Sequence, residues 1–210
     1  MIVSADLLNK FGIAPATASV WAGPLTAACL AQSINTAPRI AGLLANVLHE
    51  TGNLTALTEG MNYSSDALLV QWPSHFDDDD AQRLGRTAAH PADQRGIAER
   101  AYGGRYGNRA EGSGDGWLYR GHGAMQTTFY ANYLSLAKAT GWTRSISDLP
   151  AYLVTPDGAS PSAAVFWNHA GCNVMLDAGQ ITRARVTCNG GGIGLDDVLV
   201  RFGRIRALLG

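Results

Sequence analysis

The chain has 210 residues, 46% hydrophobic and 16% charged, a composition that excludes disordered and fibrous classes and allows one sizeable core or two unequal lobes. Its 16 basic and 17 acidic side chains give a net charge of -1, so no global basic field draws it to nucleic acid or anionic lipid. No run approaches the roughly 18 apolar residues of a membrane span, the amino terminus lacks signal-peptide features, and three scattered cysteines make no disulfide framework or paired zinc motif. These features predict a soluble product made in the cytoplasm, with buried thiols at Cys29, Cys172 and Cys188. Cys172 with Cys188 is the one pairing open to a bridge.

In chain order, Ser4 caps a short helix through Phe11 that Gly12 stops, and a second helix is predicted over Leu25 to Ser33 with Pro24 near its start. Asn35 or Thr36 caps a third, with Pro38 in its first turn. Ile40, Leu43, Leu44, Val47 and Leu48 form one apolar stripe on it, and Thr51-Gly52 ends it. Ser65 to Leu69 is a short helix broken by Trp72-Pro73. The four aspartates Asp77 to Asp80 lack the alternating spacing and Gly of a calcium loop and read as a solvated helix start. Residues 103 to 123 hold eight glycines without a phosphate-cradle spacing. Helical character returns from Gln126 to Lys138. Asp148 to Pro150 and Thr155 to Gly158 are turns, Ser160-Pro161-Ser162 opens a helix through His169, Thr187 to Gly194 is a second Gly-rich turn, and Leu195 to Leu209 is a closing helix.

Two carboxylates flank the turn after the third helix. Glu50 lies in its last turn, where burial and the negative end of the helix dipole disfavour the charged form and suit a proton donor. Glu59 follows among Thr58, Asn62, Tyr63 and Ser64, a polar setting suited to a base. Divergent carboxylates are the equipment of glycosidic cleavage. Rival chemistry is weaker: H-E-x-x-H fails because position 53 is Asn53, and His122, His169 and Cys188 have no zinc-ligand spacing.

With these pieces in order, the sequence resembles the family-19 glycoside hydrolases, specifically the phage endolysin branch of this chitinase-like family. The anchors are His49-Glu50-Thr51-Gly52, the run Glu59 to Ser64, Ala101 to Asn108, Gly114 to Thr128, Asn132-Tyr133 and Asn189-Gly190-Gly191. The resemblance implies a mainly α, lysozyme-like or chitinase-like fold with two lobes around a groove: a larger lobe of about 1-64 and 109-210, a smaller inserted lobe of about 65-108, and no separate wall-binding domain. It implies general acid Glu50, general base Glu59 with the carboxyls roughly 6.5 to 9.5 Å apart, a water-holding hydroxyl at Thr128, and sugar contacts at Gln126, Asn132 and Asn189. Tyr63, Trp117 and Arg105 join these as substrate-binding candidates. No metal or cofactor is implied. Two departures stand out: His122 and Val198 replace arginines usual in the family, so Arg105, Arg120 or Arg201 is expected to supply charge near Glu50, or the acid is tuned differently.

The implied function is an inverting endolysin that cuts the MurNAc-GlcNAc bond of peptidoglycan, acting as a monomer on glycan strands in the periplasm after a holin opens the membrane, without inserting in it. A chitinase, a lytic transglycosylase and an inactive sugar-binding module are the alternatives.

Overall fold

The computed structural model describes residues 1–210. Thirteen α-helices and one 3₁₀ turn, Ile146–Asp148, carry the architecture, and strand pairing is limited to isolated bridges. The helices are α1 Ala5–Phe11, α2 Pro15–Ala31, α3 Ala37–Glu50, α4 Ser65–Gln71, α5 Asp78–Leu84, α6 Gln94–Tyr102, α7 Asp115–Leu118, α8 Tyr130–Thr140, α9 Leu149–Leu153, α10 Pro156–His169, α11 Cys172–Asp177, α12 Ile181–Asn189 and α13 Leu195–Leu209. None is long and apolar enough to cross a membrane.

Local chemistry sets most of the boundaries. Ser4, Thr36, Ser64, Asp77, Asp93 and Thr155 each accept a backbone N–H three residues on, the N-cap bond that satisfies a free helix donor. The aspartate run is a helix start: Asp77 caps α5, and Asp78 to Asp80 fill its first turn, where the helix dipole favours negative charge.

Five predicted boundaries are corrected. Asp148 to Pro150, read as a turn, ends the 3₁₀ turn and opens α9, with Pro150 in its first turn. α2 begins ten residues before Leu25, at Pro15, and runs through Pro24. Pro24 lacks the N–H that would bond the Val20 carbonyl, and Val20 lies on the exposed side, where water can take that carbonyl. α10 likewise starts at Pro156 behind the Thr155 cap, not at Ser160. The stretch Gln126 to Phe129 is not helical: Gln126 has φ +48° and Phe129 φ +71°. Thr187 to Asn189, read as a turn, is the end of α12.

Three apolar clusters form. The largest holds 29 buried residues from α1, α2, α3, α10 to α13 and their links, and it encloses the α3 stripe completely. Each fully buried side chain of that stripe contributes about 1.5–3 kcal/mol relative to exposure, so α3 is the fixed axis of the molecule. A second cluster of nine residues spans Met61 to Tyr102, with Tyr63, Trp117 and Phe129 packed against it. A third, of five, joins Tyr119 and Tyr133 to α9. Glu50 belongs to the end of the first cluster's axis, and Glu59 lies on the segment that passes into the second.

Candidate active site

Glu50 emerges at the carboxyl end of α3, between the half-buried His49 and the buried Thr51, with its side chain 24% exposed. Asn46, one turn earlier on the same face, is also buried. Both are met by Arg185 of α12, whose side chain is only 1% exposed. One Arg185 nitrogen, Nη1, pairs with Glu50 Oε1 and reaches Asn46 Oδ1 at 3.4 Å. Nη2 donates to the Ile193 carbonyl at 2.6 Å and Nε to the same oxygen at 3.2 Å. Asn46 Nδ2 completes the chain by donating to the Gly42 carbonyl at 2.9 Å. A buried guanidinium is stable only when paired and hydrogen-bonded, and here every one of its nitrogens has a partner.

This pairing corrects the expectation about the missing family arginine. Arg105 donates to the Ala101 carbonyl at 2.8 Å and lies over the Phe129 ring, 5.3 Å from its centroid. Arg120 stacks on Trp117 at 3.5 Å and donates to the backbone carbonyls of Trp117 and Glu59. Arg201 holds Asp197 at 2.5 Å and Asn53 at 2.6 Å. None of the three contacts Glu50; Arg185 does. Nor is Glu50 an isolated carboxyl at an apolar helix end, because a counter-charge is built against it.

His49 beside it is oriented by Asp197, with Nδ1 to Oδ2 at 2.7 Å. Hydrogen bonds from His49 and Arg201 hold the Asp197 carboxyl below its usual range. Gly194 makes this approach possible: it has φ +72°, and a Cβ there would stand 2.2 Å from His49 Nε2.

Glu59 is held differently. Three short segments pair in antiparallel bridges, Thr58 with His122 and His122 with Thr127. The Glu59 N–H donates to the Gly121 carbonyl and the Gly121 N–H returns to Glu59 Oε2, both at 2.8 Å. Tyr102, at the end of α6, donates its hydroxyl to Oε1 at 2.7 Å. Burial is the first cause, and the Glu59 charge the second, of a Tyr102 pKa far above the ordinary phenol, so the hydroxyl remains a donor. Gly121 lets Gln126 and Glu59 pack against its backbone: a Cβ there would lie 2.7 Å from Gln126 Oε1 and 3.2 Å from Glu59 Cβ, and both side chains would have to shift. Beneath the bridges His122 is buried, with Nδ1 2.8 Å from the Arg120 carbonyl and 2.7 Å from Tyr133 Oη. Burial lowers its pKa to about 4.

The sequence-predicted binding residues divide between the two carboxylates. On the Glu59 side, where Gln126 Oε1 approaches Gly121, Gln126, Thr128 and Asn132 line one pocket of about 430 Å³ that extends between α8 and α10 to Phe166 and His169. Thr128 Oγ1 donates to the Gln126 carbonyl at 3.0 Å, and Asn132 Nδ2 to the Thr128 carbonyl at 2.8 Å. Tyr63 packs edge-on to Trp72 at 5.0 Å, and burial together with the Glu59 charge raises its pKa. Asn189 sits on the Glu50 side, its Nδ2 3.4 Å from the same Ile193 carbonyl that Arg185 uses. Trp117 is not an open sugar platform: its ring packs on the second cluster and carries Arg120 across its face. The open aromatic of the Gly-rich segment is Tyr106, 67% exposed and 4.8 Å from Phe129. His122, His169 and Cys188 do not assemble, and no three His, Cys, Asp or Glu side chains gather as a metal site.

Arg185, Tyr102 and Gly121 are the residues that sequence reasoning missed as site members. Tyr102 and Gly121 lie inside the motif runs. For Arg185 the only local hint is on the other helix: Asn46 and Glu50, spaced i, i+4, put polar groups on one face of an otherwise apolar α3 and so call for a polar partner.

A mainly helical fold thus presents two carboxylates, one paired to a buried guanidinium and the other held by a phenol and a backbone N–H, an arrangement with the groups that acid/base cleavage of a glycosidic bond requires. The chain is 31% identical over 155 residues to a glycosyl hydrolase family 19 domain-containing protein of Haemophilus influenzae, covering 73% of this chain and 72% of that one. It belongs to glycosyl hydrolase family 19. No family model matches it. Its fold is that of chitinase C from Streptomyces griseus, with TM-score 0.61 and 17% identity over 99% of this chain and 92% of that one. A chitinase C mutant aligns with the same score and identity over 76% of its length.

Proposed function

We propose that this glycoside hydrolase cleaves the β-1,4 bond between MurNAc and GlcNAc of bacterial peptidoglycan in a single inverting step, as an endolysin. The observation that carries the reading is the opposite way in which the two carboxylates are engaged. Glu50 gives one oxygen to Arg185 and keeps Oε2 free of hydrogen bonds; that oxygen is the one to deliver a proton to the leaving sugar. As the proton departs, the carboxylate left behind gains the guanidinium as counter-charge, a contact worth more in the transition state than before it. Glu59 accepts a hydrogen bond on each oxygen, the arrangement of an anion, and retains lone pairs to take a proton from water. Thr128, on the same wall as Gln126, is the hydroxyl to steady that water.

The choice of peptidoglycan over chitin rests on the pocket beyond Thr128. A linear GlcNAc polymer needs only a groove, whereas muramic acid carries a lactyl-peptide branch. A side pocket of about 430 Å³ with Leu136, Val165 and Phe166 on its apolar wall gives such a branch a place beside the sugar-binding residues. On this reading the chain works as a monomer, is made in the host cytoplasm and reaches the wall once a holin has opened the membrane.

The test is digestion of purified peptidoglycan, with chitin oligomers in parallel, by wild type, Glu50→Gln and Glu59→Gln, and mass spectrometry of the fragments. New MurNAc reducing ends from wild type and a loss of at least ~10²-fold in both variants are expected. Anhydro ends with Glu59→Gln still active indicate a lytic transglycosylase, cleavage of chitin alone a chitinase, and binding without new ends a sugar-binding module; each would overturn the proposal.

A further inference from the structure

Behind Glu50 the large cluster contains two thiols that the glycosidic chemistry does not use. Cys172 opens α11 and is fully buried; Cys188, in the last turn of α12, is half-buried, and the two sulfurs stand 3.7 Å apart. The third cysteine, Cys29, is buried elsewhere in the cluster and has no sulfur partner. The pair sits against the acid site in two respects. Cys188 lies one helical turn after Arg185 on α12, and the charges of both Arg185 and Glu50 reach its thiol. From the other side, α11 is seated on α3 itself, its Leu176 side chain lying where any side chain at Gly42 would collide.

We propose that Cys172 and Cys188 are an oxidisable pair whose disulfide ties α12, and with it Arg185 and Asn189, to the helix seated behind Glu50. The reaction is exchange with a small-molecule disulfide. Cys188 is the accessible member, and the hydrogen bond it gives Cys172, together with burial, raises its thiol pKa, so loss of its proton to solvent is the slow step. As thiolate it attacks the disulfide and forms a mixed disulfide, releasing one thiol of the oxidant. Cys172 then attacks Cys188 Sγ and displaces the second. Two protein thiols become one S–S bond, the oxidant's disulfide becomes two thiols, and the protons are conserved between them. The hydrogen bond from Cys188 lowers the Cys172 pKa and so suits it to the second step. Sequence alone left Cys172 and Cys188 as a pairing to be tested; the geometry gives it a location and a consequence.

Bridging closes a loop of about 16 residues, short enough for a modest gain and placed where fraying of α12 would release Arg185. The inference does not rest on the choice of substrate, because its first readout is thiol count. The full chain is incubated with reduced or oxidised glutathione, unfolded in denaturant and alkylated without reduction, so that buried thiols also react, and analysed by mass spectrometry. Oxidised protein is expected to lose two alkylation sites, to yield one peptide cross-linked between Cys172 and Cys188, and to keep Cys29 alkylatable. Its Tm is expected to rise by roughly 5 °C, and its glycan-cleaving activity to survive heating longer than that of reduced protein. Cys172→Ser with Cys188→Ser is expected to match the reduced wild type and ignore the oxidant, and Cys172→Ser alone to stop at the glutathione adduct on Cys188. Three alkylatable thiols after oxidation, a stable glutathione adduct on wild-type Cys188, or a bridge that leaves both Tm and heat inactivation unchanged would each overturn the proposal.

Discussion

The two carboxylates of this site are held by opposite means. Glu50 stands at the end of a 14-residue helix whose apolar stripe is wholly enclosed, and its orienting contact is one side chain, Arg185, arriving from 135 residues away. Glu59 lies on no helix. It is fixed by three short bridged segments, by the backbone N–H of Gly121, and by a phenol from the second cluster. A rigid axis thus carries Glu50 with a single tertiary partner, while a mesh of weak local pairings carries Glu59. The first arrangement is vulnerable to one substitution, the second to conditions that loosen the mesh.

The sharpest way to break this contrast is at Arg185. Truncation to Ala leaves Glu50 without its counter-charge and strands the buried Asn46 oxygen. Loss of one partner of a buried pair costs about 3–5 kcal/mol, and loss of a donor aimed at developing charge costs about 10²–10³-fold in kcat. Thermal unfolding and turnover of Arg185→Ala should both fall. Arg185→Lys keeps the charge without the fork that also binds the Ile193 carbonyl, so it should recover only part of the turnover. An Arg185→Ala enzyme with wild-type turnover would show that Glu50 acts without that partner.

The same contrast separates what is legible in the sequence from what is not. Thr36, Pro38, the apolar stripe and Thr51 all speak within one helix, so α3 and the position of Glu50 could be read directly. Local signals also misled where two of the same kind compete: Pro24 and Pro15 both look like helix starts, and only packing decides that α2 runs through the first. Gln126 to Phe129 carries a helical pattern, yet Phe129 is held at φ +71° by its N–H bond to the Tyr119 carbonyl at 2.8 Å and by rings of Tyr102 and Tyr106 at 5.2 and 4.8 Å. Such over-determination is tertiary and leaves no local trace. Arg185 is the extreme case: in Ile-Thr-Arg-Ala-Arg-Val-Thr-Cys nothing distinguishes it from the exposed Arg183, and its burial exists only because Asn46 and Glu50 are there to meet it.

Acid probes the mesh around Glu59. His122 has an unfolded pKa of about 6.5 and is held at about 4 by burial in the fold. Between those values the unfolded chain binds a proton that the native state refuses, so stability rises with pH across this window. It is complete above about pH 6.5 and is lost as pH falls toward 4, by about 3 kcal/mol in all. Urea unfolding at pH 7 and pH 4.5 should show that loss, and His122→Gln, whatever its stability at pH 7, should flatten the slope by close to one proton. Hydrogen exchange should place the first opening at the Gly121, His122 and Thr127 amides, before those of α3. Equal acid sensitivity on both sides would mean that the mesh is no weaker than the axis.

The finest distinction is made at Tyr102. Phenylalanine there keeps the ring contacts with Trp72 and Phe129, at 6.1 and 5.2 Å, and deletes only the O–H that reaches Glu59 Oε1. A hydrogen bond to a charged group is worth about 1.5–3 kcal/mol, but Gly121 still holds Oε2 and the bridges still fix the backbone. Tyr102→Phe should therefore lower kcat by about 10-fold, the low end of that range, with KM and Tm nearly unchanged. That result would make Tyr102 a positioning residue for the base, one strand of a redundant mesh. A loss as deep as that of Arg185→Ala would make Glu59 as dependent on a single partner as Glu50 is, and the two carboxylates would then be held alike.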